Sequence, residues 1–231
     1  MLNKLVASLM LIAPAAYAQD VNIETYRGET SVVSTPENLV VFDLAAMDTL
    51  DALGVDPAGL VAPRYVSYLD HIEAATTGSL FEPDIEAVLA LDPDLIIVGG
   101  RSSRQFEAMA DLAPTIDMTI WEDTVGQGLE RLEAYGEIFG KQTEAEALEA
   151  DFQSRLNAAK AAVADQGSAL IVMTNGPQVS AYGASGRFGW LHKALELPEA
   201  VADVEQATHG EAISFEFIQD ANPDILIVID R

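Results

Sequence analysis

Leu91-Asp-Pro-Asp-Leu-Ile-Ile-Val-Gly-Gly-Arg101 and Ala221-Asn-Pro-Asp-Ile-Leu-Ile-Val-Ile-Asp-Arg231 are two copies of one pattern, offset by 130 residues. Pro-Asp opens each copy, an unbroken apolar run follows, and Arg closes it. A run without polar alternation describes a strand covered on both faces. The same offset lays Glu86 on Glu216, each early in the helix before its strand, and Ser79 on His209, in the loop before that helix. A repeat on this scale predicts two similar structural units, with equivalent residues at equivalent places.

Working outward, Leu39–Phe42 and Ala169–Met173 read as further covered strands. Ala45–Leu53, Asp84–Ala90, Arg101–Leu112 and Thr124–Phe139 read as helices. Strands alternating with helices predict an α/β architecture with mainly parallel sheets. Gly54, Asp92-Pro93, Gly99-Gly100 and Asn222-Pro223 supply the turn chemistry between elements. Gln142–Gln166 differs: it contains no Gly or Pro, and Ala145, Leu148, Phe152, Leu156, Ala159 and Val163 recur at three- and four-residue steps. Thr143 with Glu146 suggests a capping box, and Gly167 a C-cap. A helix of about 24 residues is roughly 36 Å long, enough to join two lobes as a strut.

The expected organisation is therefore a leader over residues 1–18, an N-terminal α/β lobe over 19–141, a linking helix over 142–166 and a C-terminal α/β lobe over 167–231. The fold class is α/β, two Rossmann-like lobes joined by one long α-helix. Arg231 directly follows what should be a central strand, so the second lobe is expected to be incomplete and the chain truncated. The leader rests on Lys4, the apolar run Leu5–Ile12, and Ala16-Tyr17-Ala18, the pattern of a secretory signal peptide cleaved after Ala18. No later segment reaches the length of an apolar membrane span. The expectation is a periplasmic protein, and the lack of Cys excludes an anchor through that residue, disulfides, thiolate zinc sites and a Cys nucleophile.

Charge narrows the function. The chain carries 12 Lys and Arg against 37 Asp and Glu, a formal net charge of −25. Such a chain is unsuited to nucleic acid or anionic membrane surfaces, which demand cations in quantity. Where positive charge is scarce, its placement matters. Arg101 and Arg231 follow the repeated strands, and Arg187 lies in the Gly-rich stretch Tyr182-Gly-Ala-Ser-Gly-Arg-Phe-Gly-Trp190. Ligands of open α/β sheets sit beyond the carboxyl ends of strands. Two facing lobes would aim these arginines at one cleft and form a site for a multiply charged anion. At ~4 Å and an effective dielectric near 20, each unit-charge pair is on the order of 4 kcal/mol before desolvation.

Catalytic signatures are lacking, and no enzyme is expected. Gly183-Ala-Ser-Gly186 is not a nucleophile elbow, there is no Walker sequence, and Gly99-Gly100 lacks the third glycine of a dinucleotide turn. His71, His192 and His209 show no compact metal-ligand spacing, although His209 is placed to act as a single ligand. Glu86 and Glu216, one per lobe, suit either docking of a two-fold partner or simple complementation of helix dipoles.

The chain resembles the iron–siderophore substrate-binding proteins of ABC importers, of the two-lobe kind with a rigid linking helix, and within them the catecholate or petrobactin-type subgroup. The resemblance runs from about Thr35 to Arg231. It is carried by Val41-Phe-Asp-Leu-Ala-Ala-Met-Asp-Thr-Leu-Asp-Ala-Leu-Gly54, Pro93–Arg101, Ser185-Gly-Arg-Phe-Gly189, Thr208-His-Gly210, Ile213-Ser-Phe-Glu216 and Asp230-Arg231. It implies that Arg101, Arg187 and Arg231 contact the anionic oxygens around ferric iron, and that His209 can ligate iron where the chelator leaves sites open. It further implies that Glu86 and Glu216 pair with arginines of the permease. The Tyr that partners the His at iron in such proteins is absent from this chain. On this resemblance Tyr65, Tyr182 and Trp190 would pack the chelate's rings, the cargo would be ferric iron carried as a siderophore complex with no intrinsic cofactor, and the receptor would act as a monomer. The same architecture also serves other cargo: cobalamin, haem or a metal ion.

Overall fold

The computed structural model describes residues 20–204 and 209–230, so the expected leader and Arg231 lie outside the described residues. The described chain opens with an antiparallel hairpin that the sequence reading did not foresee, β1 (Asp20–Thr25) with β2 (Gly28–Val33).

Five short parallel strands form the N-terminal sheet: β3 (Leu39–Val41), β4 (Gly59–Leu60), β5 (Ala75–Thr76), β6 (Leu95–Val98) and β7 (Thr115–Asp117). Their order across the sheet is β5-β4-β3-β6-β7. β6 is inaccessible along its whole length, as its apolar run predicts. Its alternate side chains feed two cores. Leu95 and Ile97 join Leu39, Val41, Met47, Leu50 and Tyr135 on one face, and Ile96 and Val98 join Val40, Phe42, Val88 and Met109 on the other. Each such side chain removed from water contributes about 1.5–3 kcal/mol before entropy is counted.

Helices cover both faces, and Asp carboxylates start them. Asp43 caps α1 (Leu44–Ala52), Asp84 caps α2 (Ile85–Ala90) and Asp123 caps α4 (Thr124–Phe139), each accepting from a backbone N–H three residues on. The helix expected over Arg101–Leu112 divides into a 3-10 turn at Gly100–Gln105 and α3 (Phe106–Ala110). Gly140, at φ 65°, ends α4 in the left-handed conformation that glycine adopts freely.

The long helix α5 spans Gln142–Val163, about 33 Å at 1.5 Å per residue. Its start is Lys141 with no side-chain cap, so Thr143 and Glu146 do not form the expected box. Ala164 ends it, three residues short of Gly167. It packs against α4, where Ala145 sits over Gly136 so closely that a Cβ there would come within 2.9 Å. At its far end Lys160 Nζ meets Glu196 Oε1 of the second lobe at 2.9 Å.

The C-terminal sheet has β8 (Ala169–Asn175), β9 (Gln178–Tyr182), β10 (Glu211–Ile213) and β11 (Ile225–Asp230) in the order β10-β9-β8-β11. The repeat is visible in the pairing. β3 and β6 run parallel with Leu39 opposite Leu95, and β8 and β11 run parallel with Ala169 opposite Ile225, each offset by 130 residues. α2 has its counterpart in α7 (Phe215–Ala221), capped by Ser214 as α2 is by Asp84. Two differences qualify the expected symmetry. The second sheet is mixed, because β9 turns back as a hairpin. β11 is also not covered on both faces: it is an edge strand, with Leu226 45% and Val228 55% exposed. An equally apolar run is buried in β6, where packed cores cover both faces, and half-exposed in β11, where alternate side chains stand on a face left uncovered among the described residues.

Candidate functional site

The strand order of the N-terminal sheet reverses between β3 and β6, and a crevice opens at the carboxyl ends of such a pair. Asp43 follows β3 and Gly99-Gly100-Arg101 follows β6, so both stand at that point. The turn at Gly99–Arg101 is held from beneath. Gly100 N–H donates to Thr119 Oγ1 at 2.9 Å, and Thr119 donates to Asp117 Oδ1 at 2.6 Å. The buried Asp117 also accepts from Ser103 Oγ and, at 3.1 Å, from Arg27 Nε. Arg27 comes from the β1–β2 hairpin and lies 4.0 Å over the Phe106 ring. The unforeseen hairpin therefore supplies the cation that neutralises the carboxylate under the turn.

Asp43, half-buried at its surface but closely packed around the carboxyl, is the second acid here. A Cβ at Gly99 would come within 2.7 Å of its Oδ2, so only glycine lets the β6 turn close over this carboxylate. Burial pushes the Asp43 carboxyl up to about 6, with the neighbouring Asp117 adding to the rise and backbone N–H groups of Leu44, Ala45 and Ala46 opposing it.

Above these acids Arg101 is exposed and has neither an ion pair nor a hydrogen bond among the described residues. Arg104 lies three residues on in the same 3-10 turn, where side chains at that spacing eclipse. Its guanidinium sits 5.0 Å over the ring of Phe81, which Ser79 and Gln105 hold in place. The sequence reading missed both Arg104 and Phe81. The available signal was a second arginine at the period of a 3-10 turn. Tyr65, in the loop after β4, is 57% exposed at φ 66°. Tyr65, Phe81, Arg101 and Arg104 thus all occupy loops on the carboxyl edge of the first sheet.

In the second lobe Arg187 lies in the loop from β9 to α6 (Trp190–Leu195), exposed, with its guanidinium 5.1 Å over Phe188. The loop folds on itself through Gly186 N–H to Gly183 O and Gly189 N–H to Gly186 O, both 2.9 Å. Gly189 is required because a Cβ there would strike the Ala184 carbonyl. Trp190 is half-buried at the start of α6. His209 is exposed just before β10, whose Glu211 pairs with Ala181, so it adjoins the end of β9 from which the Arg187 loop departs. Along β8, Tyr182 stands level with Ile171 and Asp230 with Thr174, about 10 Å apart at strand rise.

Tyr182 departs from the expected role. It is 1% exposed, edge-on to Phe188 at 4.8 Å, with its hydroxyl 3.9 Å from Met173 Sδ. It is core, and it supports the wall behind Phe188 instead of meeting a ligand. His71 pairs with Asp51 at 2.8 Å, and His192 is buried with Nδ1 3.1 Å from Leu197 O. Among the described residues no group of three His, Asp or Glu side chains is arranged to hold a metal ion. Glu86 and Glu216 are both exposed at the second position of their helices, 130 residues apart. The backbone N–H of Glu216 and the Ser214 hydroxyl hold its carboxyl below the usual range.

Two α/β sheets joined by a long helix, with arginines on exposed loops that have no ion pair among the described residues, define the class: a two-lobe α/β protein. The chain belongs to the periplasmic binding protein family, which it matches over residues 39–231. It is 35% identical over 209 residues to the petrobactin-binding protein YclQ of Bacillus subtilis, covering 87% of this chain and 66% of that one. It is 32% identical over 219 residues to the ferric-anguibactin-binding protein FatB of Vibrio anguillarum, covering 90% and 68%. Among solved structures it is similar to the periplasmic catecholate-siderophore binding protein VctP of Vibrio cholerae, with a TM-score of 0.81 at 28% identity over 92% of this chain and 78% of that one. The chain spans about two thirds of the length of these curated relatives. Among the described residues no helix is long and apolar enough to cross a membrane.

Proposed function

We propose that this protein is a periplasmic receptor for a ferric siderophore with catecholate donors and that it delivers the complex to an ABC permease. One observation carries the reading: Arg101, Arg104 and Arg187 have no carboxylate partner among the described residues of a chain with 37 acids. Among the other described cations, Arg27, Lys141, Arg155 and Lys160 pair with acids and Arg64 and Arg131 donate to backbone carbonyls, so that besides these three arginines only the exposed Lys193 of α6 does neither. Exposed guanidiniums left unpaired in so acidic a molecule are available to an incoming anion. The names of the relatives support iron chelates as that anion, with catecholate among them.

Catechol dianions on ferric iron leave the complex negative, and guanidiniums answer this charge with N–H forks aimed at the donor oxygens. Arg101 and Arg187 supply these forks from the two lobes, with Arg231 following Asp230 as a third. His209 stands beside the Arg187 loop, ready to ligate iron where the chelator leaves a position open. Trp190 and Tyr65 offer aromatic surface at the rim. Glu86 and Glu216 present one carboxylate per lobe to arginines of the permease.

Titration with an iron(III) bis-catecholate chelate, followed by tryptophan fluorescence, tests the reading. Arg101→Ala, Arg187→Ala and Arg231→Ala should each weaken binding about tenfold or more, since hydrogen bonds to charged groups contribute about 1.5–3 kcal/mol. Unchanged affinity in all three variants overturns it. Glu86→Ala and Glu216→Ala should leave that affinity intact and lower stimulation of the permease's ATPase.

A further inference from the structure

We propose that the two arginine–phenylalanine stacks, Arg104 on Phe81 in the first lobe and Arg187 on Phe188 in the second, are aryl-recognition elements that select chelates bearing catechol or phenol rings over wholly aliphatic carboxylate chelates. The proposal rests on the siderophore reading above and adds the residues that discriminate within that class.

The two stacks are alike although the repeat does not relate them. The guanidinium carbon lies 5.0 Å from the ring centroid in one and 5.1 Å in the other. Neither arginine has an ion pair among the described residues and both are exposed, so each guanidinium, apart from its ring neighbour, is available to an incoming group. An open guanidinium face accepts an aromatic ring, and the N–H edge donates to the ring's oxygen substituents. A catecholate presents both at once. An aliphatic carboxylate uses only the edge.

Both platforms are held before any ligand arrives, which lowers the ordering cost of binding. Ser79 Oγ accepts from the N–H groups of Phe81 at 3.3 Å and Glu82 at 3.1 Å, and Ser79 N–H donates to Glu82 O at 2.9 Å, so Phe81 crowns a closed turn. Gln105 Nε2 donates to Phe81 O at 2.9 Å, which ties that turn to the residue after Arg104. In the second lobe Phe188 rests edge-on against the buried Tyr182. The first stack shares its 3-10 turn with Arg101, so charge and aryl recognition lie side by side.

The test uses the full chain and two probes, an iron(III) bis-catecholate chelate and iron(III) citrate, with Phe81→Leu, Arg104→Lys and Arg101→Ala. Phe81→Leu keeps an apolar side chain without a π face, and Arg104→Lys keeps the charge without the planar fork. Each should weaken the catecholate chelate about five- to tenfold, the range of a partly desolvated cation–π contact, and change the citrate complex less than twofold. The double variant should lose less than the product of the two single losses, because each substitution breaks the same stack. Arg101→Ala should weaken both probes. Equal effects of Phe81→Leu and Arg104→Lys on the two probes, or no effect on either while Arg101→Ala still weakens binding, overturns aryl recognition and leaves the siderophore reading standing. A wild-type chain that binds neither probe overturns the siderophore reading itself.

Discussion

The carboxylate of Asp224 accepts from the backbone N–H of Ser168 at 2.8 Å, and Asp94 does the same for Asn38 at 2.9 Å, 130 residues earlier. The Asp of each repeated Pro-Asp therefore ties the start of its own strand to the residue before the neighbouring parallel strand. Asp94 accepts a second N–H, from Glu37, at 3.0 Å. Asp224 likewise accepts a second bond, from Ser168 Oγ at 3.3 Å, so removing either carboxylate should cost a similar amount, about 1 kcal/mol per lost hydrogen bond at most in these exposed positions. Urea denaturation of the two variants measures this.

Gly167 is bound to that clasp. It adopts φ +94°, and a Cβ there would come within 2.1 Å of Asp224 Oδ2. Gly167→Ala should destabilise by more than 1 kcal/mol, through both backbone strain and displacement of the carboxylate. In Gly167→Ala with Asp224→Ala the collision is relieved while the backbone strain and the lost carboxylate bonds persist, so the double variant should lose less than the sum of the single losses. Thermal unfolding of the four proteins checks the non-additivity.

Stability should fall as pH rises through the range set by Asp43. Its carboxyl ordinarily titrates near 3.8 and is raised to about 6 by burial. Between these values the folded protein holds a proton that the unfolded chain has released, so the slope of unfolding free energy against pH is negative there. The loss is absent below about pH 4 and complete above about pH 6, and is on the order of 3 kcal/mol. Asparagine caps helices as well as aspartate does and does not ionise. The difference in stability between Asp43→Asn and wild type should therefore grow in favour of the variant from pH 4 to pH 7. A pH-independent difference in denaturant titrations would contradict the raised titration of this acid.

Tyr182 should behave as core. Tyr182→Phe removes a hydroxyl whose one hydrogen-bond partner among the described residues is Met173 Sδ at 3.9 Å, and should cost under 1 kcal/mol. Tyr182→Ala empties the space behind Phe188 and should cost about 3–5 kcal/mol. Equal small losses in chemical denaturation would place the ring outside the core.

The elements themselves were legible because their causes are local. Thr124–Phe139 is the helix that periodicity predicts, residue for residue, with an Asp before it and a Gly after it. Leu95–Val98 is a strand with no access to solvent, as an unbroken apolar run demands. The pairing Leu39 with Leu95 and Ala169 with Ile225 has the repeat's own offset. Arg101 and Arg187 stand on exposed loops, where turn residues put them.

What could not be read was whatever depends on neighbours distant in the chain. Ile225–Asp230 is as apolar as β6, yet one side chain in two faces solvent, because a strand's burial is decided by what lies on both its edges and both its faces. Tyr182 and Tyr65 are the same residue type, and only packing put one in the core and the other at the rim. Arg27 reaches Asp117 across 90 residues, and Phe81 comes under Arg104 across two loops. Local spacing carries the period of a strand or helix, whereas long-range contacts arise only when whole elements dock, and the latter settled which charges are neutralised and which remain open.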